Sequence, residues 1–335
     1  MLKEWDHLPE GFLSARPADL EGILGGPALI HLPGRRPDPV FVSVMLHGNE
    51  PAGLEAVQAL LRNPPPGGLP RSLSLFVGNV SAARLGVRRL EGQADYNRVW
   101  PGSDTDDTPE HRLMARITDR MRELDPFASV DVHNNTGLNP HYACVNRLEH
   151  RFLQLATLFG RTVVYFIRPR GVQSLAFAEF CPAVTLECGK AGDARGVEHA
   201  RDFITACLQL AKIPSHPVAP HDIDLFHTVA VVKVPDSVTF SFTSAGEDLQ
   251  FDPDLDRMNF RELPAGTALA TVRSTKPVLV EARSETGEDV TEEYFTVHQD
   301  RLVLRRPMMP SMLTLDERVV RQDCLCYLME RMEMK

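Results

Sequence analysis

The sequence has no excess of positive charge. Its 335 residues include 36 Lys and Arg against 45 Asp and Glu, giving a net charge of -9 at pH 7 and a pI of about 5.8. Neutralising a phosphate backbone needs a basic surface, so this balance argues against a nucleic-acid partner. An anionic small molecule would have to be bound by arginines concentrated in one pocket.

Long apolar runs are also missing. No stretch approaches the roughly 20 residues that are needed to span a bilayer, so we expect no membrane partner. The N-terminal segment MLKEWDHLPEGFL does not have the long apolar core of a signal peptide. We therefore expect a cytoplasmic protein.

Paired cysteine motifs are absent as well. The six cysteines show no C-x-x-C spacing, which argues against a cysteine zinc site and against a disulfide framework. We expect reduced thiols. These cysteines are Cys144, Cys181, Cys188, Cys207, Cys324 and Cys326.

The first 210 or so residues alternate short apolar runs with helical patterns. Strands separated by helices, with continuous apolar cores, predict an α/β fold with a mixed, mostly parallel sheet flanked by helices. The predicted strands are Val40–His47, Leu73–Val80, Phe127–His133, Thr162–Ile167 and Ala183–Cys188. The predicted helices cover residues 51–62, residues from 109 onward, residues 146–159 and residues 196–210.

The segment Lys212–Asp222 is proline-rich and predicts a linker. Beyond it, short strand-like segments between turns predict a smaller β-rich C-terminal domain, with a terminal helix over 316–332. The expected domains are therefore 1–215 and 220–335.

The strongest local signal is His47-Gly48-Asn49-Glu50, at the end of a predicted strand. Imidazole and carboxylate both bind zinc, and a strand-to-helix turn lets both side chains point at one atom. The alternative is a strand-end histidine beside a glutamate that favours the helix dipole.

Asp131 and His133 end another apolar strand and share one of its faces. His133 is the natural third ligand, and Asp131 is placed to orient it. Two histidines and one glutamate leave a fourth zinc position open, which is the arrangement of catalytic sites. An ordinary polar histidine is the alternative.

A buried strand end also carries Glu187, within Thr185–Lys190. Beside a metal this carboxylate would act as a general base. A salt bridge to Lys190 or to an arginine is the alternative.

Arginines form the last cluster. Asp95-Tyr96-Asn97-Arg98 follows Arg84, Arg88 and Arg89, and Arg168 and Arg170 follow a later strand. Arginine grips a carboxylate with two parallel hydrogen bonds, and a solvated basic loop is the alternative.

The segments H-G-N-E, D-x-N-R, D-x-H-N and the glutamate of T-L-E-x-G-K stand in this order in the chain. Together they resemble the succinylglutamate desuccinylase/aspartoacylase family, a branch of the zinc carboxypeptidase-like enzymes. The resemblance covers roughly residues 40–200, and the smaller C-terminal domain is similar to the family's plan.

The resemblance implies one zinc ion per chain, held by His47, Glu50 and His133. It implies that Glu187 takes a proton from the attacking water and passes it to the leaving amine. Arg88 would polarise the scissile carbonyl, with Arg89 as the alternative.

For the substrate, the resemblance implies that Asn97 and Arg98 hold a carboxylate, and Arg168 is a further candidate from its position. The substrate would be a small anionic N-acyl amino acid such as N-succinylglutamate or N-acetylaspartate. Residues 1–215 would form the catalytic domain. The C-terminal domain would gate it, with Tyr294 as a candidate gate residue.

Two other functions share this metal site. One is a zinc carboxypeptidase acting on peptides, and the other is a non-catalytic sensor of metal or acyl amino acids. The glutamate at position 187 favours an enzyme over a sensor. A homo-oligomer is compatible with the sequence.

Overall fold

The computed structural model describes residues 2–244 and 246–333, and it divides into two compact units. The first unit runs to Asn134, resumes at His141 and ends at Asp224. The second unit consists of residues 135–140 and the chain from Leu225 onward. The functional roles predicted for the two domains, catalysis and gating, stay predictions.

The first unit is built on one mixed sheet. Its strands are β1 (Lys3–Trp5), β2 (Ala28–Leu32), β3 (Arg36–Val44), β4 (Arg71–Val77), β5 (Ala128–Asn135), β6 (Tyr142–Val145), β7 (Thr162–Tyr165) and β8 (Ala183–Lys190). They are ordered β1-β2-β4-β3-β5-β8-β6-β7. β3 pairs in parallel with β4 and β5, as β6 does with β7, whereas β2 runs antiparallel to β4 and β6 to β8. The central strands β3 and β5 therefore end at the same edge.

Helices flank this sheet. They are α1 (Leu20–Leu24), α2 (Ala52–Arg62), α3 (Val80–Leu85), α4 (Pro109–Glu123), α5 (His150–Thr157), α6 (Gln173–Phe177) and α7 (Ala194–Gln209). The core of β3 is completely buried at Val40, Phe41 and Val42, as expected for a parallel strand covered on both faces. α4 begins with Thr108 in a capping box and proline at its first position.

The second unit is β-rich. Its elements are β9 (Asp224–Lys233), β10 (Phe240–Ser241), β11 (Leu249–Phe251), β12 (Ala268–Val272), β13 (Glu281–Ser284), α8 (Thr291–Tyr294), β14 (Phe295–His298), β15 (Arg301–Leu304), β16 (Met309–Ser311), α9 (Glu317–Gln322) and β17 (Cys326–Arg331). β9 lies between β13 and β17, and β17 also pairs with β16; a separate sheet has the order β10-β11-β12-β15-β14. Tyr294 packs into this unit's core, with the Arg306 guanidinium over its ring.

The predicted fold class is confirmed, both in the mostly parallel sheet with helices and in the β-rich C-terminal region. The terminal helix predicted over 316–332 is confirmed only in its first part, as α9, and is wrong beyond Gln322. α9 stops at Gln322, and the chain then forms β17 between two partner strands. The apolar residues of this stretch suit either periodicity, so pairing with β9 and β16 decides the outcome.

The described residues contain no helix with the length and apolar character needed to cross a membrane. All six cysteines are buried and free. The sequence predicted that they form no disulfide framework.

Candidate metal centre

A sharp turn after β3 positions the H-G-N-E segment. β3 stops at Val44 rather than at His47, because Met45 adopts a left-handed backbone conformation with φ of 56°. Backbone hydrogen bonds hold this turn against the segment after β4, from Asn79 N to Met45 O and from Gly78 N to Val44 O. His47 and Glu50 therefore lie in a rigid loop between β3 and α2.

Gly48 lets this loop approach its neighbour closely. Its N–H donates to the carbonyl of Arg88, and a Cβ at this position would overlap the backbone of Ala82 and Ala83 in α3. Only a residue without a side chain fits between the loop and α3. The need for glycine at position 48 therefore comes from lack of space for a side chain.

We expect Gly48→Ala to lower the free energy of unfolding by about 1–3 kcal/mol, because overlapping backbone atoms must move apart. Denaturant unfolding measures the change. Gly22→Ala is the matched control, since a Cβ there meets no atom within 4 Å, and we expect it to be neutral or to stabilise by up to about 1 kcal/mol. Equal stabilities for the two variants would contradict the close-approach argument.

The three predicted metal ligands come together. Nδ1 of His47 lies 2.8 Å from one Glu50 oxygen, and Nδ1 of His133 lies 2.7 Å from the other. The three side chains are buried, and one ligand atom from each lies within 4.8 Å of the others. Two imidazole nitrogens and a carboxylate oxygen are a donor set that suits zinc, so these residues fit the metal that the sequence implied.

The outer nitrogen of each histidine faces a second carboxylate. Nε2 of His47 lies 3.0 Å from Asp95, and Nε2 of His133 lies 2.7 Å from Asp131. Such partners fix the ring orientation and the tautomer, leaving Nδ1 of each ring for a metal. The sequence indicated this role for Asp131. It missed Asp95, although the residue stands in the D-x-N-R segment.

The carboxylates also control the charge of the cluster. Burial opposes ionisation of His133, but Asp131 and Glu50 outweigh it and raise the pKa of His133 well above its ordinary value. For His47, burial and Arg88 act against the charged form, yet Glu50 and Asp95 raise its pKa overall. Burial would raise the pKa of Glu50, but the two histidines lower it. The cluster is therefore organised to hold positive charge beside carboxylates.

Of the two arginines that the sequence left open, Arg88 lies at the cluster. Its guanidinium donates two hydrogen bonds to Asp95, at 3.0 and 3.2 Å, and lies 3.6 Å from Glu50. Arg89 instead donates to the carbonyl of Gln93. Burial alone would raise the pKa of Asp95, but the charge of Arg88 helps to hold that pKa well below its usual range.

Glu187 lies on β8, the neighbour of β5 in the sheet, and its side chain is buried. Asn134, next to His133, ties this region together. Its backbone N–H donates to Glu50 at 3.3 Å, its side-chain oxygen accepts from Ala52 at the start of α2, and its amide donates to the carbonyl of Gly189. Asn134 therefore joins three strand and helix ends, a role that the sequence did not reveal.

Asn97 and Arg98 follow Asp95 in the next loop. The Asn97 oxygen accepts the backbone N–H of Gln173 at 2.9 Å, and its amide nitrogen lies 3.3 Å from Asp131. Asn97 is thus part of the framework around His133. Its predicted contact with a substrate stays a prediction.

The segment after β7 packs on the backbone of Arg98. A Cβ at Gly171 would overlap the Arg98 carbonyl, and Gly171 has a φ of 72°. In this segment Arg168 pairs with Asp104 at 2.7 Å, and Arg170 pairs with the same carboxylate at 3.1 Å. The segment that carries Arg168 therefore lies against Arg98, while the Arg168 guanidinium is bound to Asp104.

Comparison with known proteins shows the family to which the chain is similar. The Succinylglutamate desuccinylase/Aspartoacylase catalytic domain family matches residues 38–211, just over half of the chain. The succinylglutamate desuccinylase of Burkholderia lata is 26% identical over 297 residues, which cover 79% of this chain and 76% of that protein.

Solved structures show the same fold. The succinylglutamate desuccinylase of Chromobacterium violaceum is similar with a TM-score of 0.55 and 20% identity, over 90% of this chain and 87% of that one. Murine aminoacylase 3 is similar with a TM-score of 0.58 and 15% identity, over 90% and 97%. The family model matches just over half of the chain, the fold is the same, and the motifs stand in the family's order. This chain therefore belongs to the succinylglutamate desuccinylase/aspartoacylase family.

Proposed function

We propose that this protein is a zinc-dependent hydrolase that cleaves the amide bond of a small N-acyl amino acid. Membership of the family supports the general part, an acyl-amino-acid deacylase. The observation that carries the metal-dependent part is the convergence of His47, Glu50 and His133 within 4.8 Å.

Zinc suits the donor set, and three protein ligands leave a position for water or substrate. A zinc ion held there would lower the pKa of water toward about 7 and polarise a carbonyl oxygen. The protein's own part is to hold the two imidazoles through Asp95 and Asp131, so that Nδ1 of each ring faces Glu50.

Glu187 is the proposed general base. A buried carboxylate on the strand beside His133 can accept a proton from the attacking water and return it to the leaving amine. Arg88 is the proposed electrophile that steadies negative charge on the carbonyl oxygen as the amide is attacked. Its two hydrogen bonds to Asp95 pre-orient the guanidinium, so little reorganisation accompanies the reaction.

The substrate is proposed to carry a carboxylate held by Arg98, with Asn97 and Arg168 as further contacts. In a chain of net charge -9, an anionic substrate needs such a local concentration of arginine. The names of the family and of the relatives point to succinylated glutamate and acylated aspartate as the first compounds to test.

Release of free amino acid from a panel of N-acyl amino acids tests the proposal. The panel contains N-succinylglutamate, N-acetylaspartate, neutral N-acyl amino acids and a tripeptide, each with and without a chelator. We expect chelator-sensitive turnover of an acidic N-acyl amino acid. Turnover of the tripeptide alone would indicate a peptidase, and zinc binding without any turnover would favour a sensor.

We expect Arg98→Ala to raise KM for the anionic substrate by about 30-fold with a smaller effect on kcat, because a charge-assisted hydrogen bond is worth about 1.5–3 kcal/mol. Steady-state kinetics measure the change. The control substrate replaces the carboxylate with a carboxamide, and its KM should be unaffected. Arg112→Ala is the control variant, since Arg112 is exposed and pairs with Asp107. Equal loss for both substrates would remove Arg98 as the carboxylate ligand.

A further inference from the structure

Ser43 is the second-to-last residue of β3, directly opposite Asp131 on β5 in the parallel pairing. Both residues are completely buried. The Ser43 hydroxyl donates to Oδ1 of Asp131 at 2.7 Å. A serine in the apolar core of the central strand thus makes a short hydrogen bond to the carboxylate that faces His133.

The Asp131 carboxylate is shared among three groups. Oδ1 accepts from Ser43, whereas Oδ2 lies 2.7 Å from Nε2 of His133 and 3.3 Å from the amide nitrogen of Asn97. A buried carboxylate that loses a hydrogen-bond donor is destabilised, because no water replaces the donor. Ser43 and Asn97 therefore hold Asp131 in one orientation.

That orientation decides which nitrogen of His133 is available to a metal. Nδ1 faces Glu50, so metal binding there requires the proton on Nε2. Nε2 then donates to Asp131. The Asn97 amide nitrogen lies 3.1 Å from Nε2 and cannot donate to a nitrogen that carries a proton, so in this tautomer it donates to Oδ2 of Asp131. A rotated Asp131 would release the Nε2 proton from its acceptor.

We propose that Ser43 is a positioning residue for the metal site, acting through Asp131 on the tautomer and orientation of His133. The inference rests on the proposed metal-dependent function and deepens it. The two histidines are supported differently: Asp95, behind His47, is paired with the charged Arg88, whereas Asp131 is held by a neutral hydroxyl and a neutral amide. The Ser43 hydroxyl is therefore one of two neutral donors that orient Asp131 on the His133 side of the site.

The test is the Kd of the intact protein for Zn²⁺, measured by competition with a chromogenic chelator after metal removal. We expect Ser43→Ala to weaken binding about 10-fold, the lower end of the range for groups that support metal ligands. Ser74→Ala is the matched control. Ser74 is a buried serine on the adjoining strand β4, hydrogen-bonded to His31 outside the site, and its loss should leave Kd unchanged.

A double-mutant cycle shows whether the effect runs through Asp131. In the Asp131→Ala background, Ser43→Ala should change Kd less than 2-fold, because no carboxylate is left to hold. A 10-fold effect in both backgrounds, or an unchanged Kd in Ser43→Ala, would overturn the inference while leaving the metal site in place. Failure of the wild-type protein to bind Zn²⁺ would overturn the proposed function and this inference together.

If Ser43→Ala does not fold, Ser43→Thr and Ser43→Val replace it. These two variants add the same bulk and differ only in the hydroxyl. We expect the threonine variant to bind Zn²⁺ about 10-fold more tightly than the valine variant, and equal Kd values would count against Ser43. Circular dichroism of each apo-protein confirms that the fold is retained.

Discussion

Glu187→Gln is expected to reduce kcat by about 10³-fold, within the range for removal of a general acid–base group. Glutamine keeps the size and the hydrogen-bonding ability of the side chain but cannot accept a proton. The three proposed metal ligands are unchanged, so zinc content should stay at the wild-type level. The expected result is therefore a folded, metal-loaded and nearly inactive protein.

The measurement combines steady-state kinetics on the preferred N-acyl amino acid with metal analysis of the same sample. Glu179→Gln is the control, because Glu179 is an exposed carboxylate that pairs with Arg147, and its activity should match the wild type. A Glu187→Gln enzyme within 10-fold of wild-type kcat would remove Glu187 as the base. Loss of zinc together with activity would instead assign Glu187 to the metal site.

Much of the fold follows from local patterns in the sequence. The long buried strands β3, β5 and β8 and the helices α2, α4 and α7 carry strong periodicity or clear caps, so their positions were predicted to within a few residues. The elements that were missed, such as β2, β6 and α3, are short. The short strands β2 and β6 are fixed by pairing with distant strands rather than by their own residues. The helix α3 begins at a cap formed by Asn79.

The segment 135–140 is a second feature that the sequence did not predict. It belongs to the β-rich unit, although it follows directly from the strand that carries His133. Nothing in its composition marks a change of domain. Membership of a unit depends on packing contacts between residues far apart in sequence, as between Gly137 and the backbone of Leu313, and a one-dimensional pattern does not contain them.

For the site, the sequence predicted that His47, Glu50 and His133 converge and that Arg88 lies beside them, because each lies in a short segment with an unusual set of polar residues. It did not predict the roles of Asp95 and Asn134. Asp95 binds His47 across 48 residues of chain, and Asn134 joins the ends of β5, α2 and β8. Ligands can be found from residue type and strand-end position, whereas their supporting groups depend on three-dimensional contacts.

The largest effect on the metal itself is expected from His133→Ala. Removing His133 takes away one of the three proposed metal ligands and leaves Glu50 with His47 as its remaining imidazole partner. It also leaves Asp131 buried without its histidine. We expect zinc affinity to fall by more than about 100-fold, since loss of a supporting partner alone lowers it 10–100-fold, and activity should fall with it.

This effect is measured in two ways. One is the zinc content after dialysis against a weak chelator, and the other is the Kd for Zn²⁺ by competition. His31→Ala is the control, because His31 is a partly buried histidine on β2 that bonds to Ser74 away from the site. Stoichiometric zinc in His133→Ala at wild-type Kd would refute the ligand role. Because Ser43 and Asp131 are proposed to act only through His133, Ser43→Ala should then have no effect on the residual zinc affinity of His133→Ala. A further loss in that background would show that Ser43 supports the site by another route.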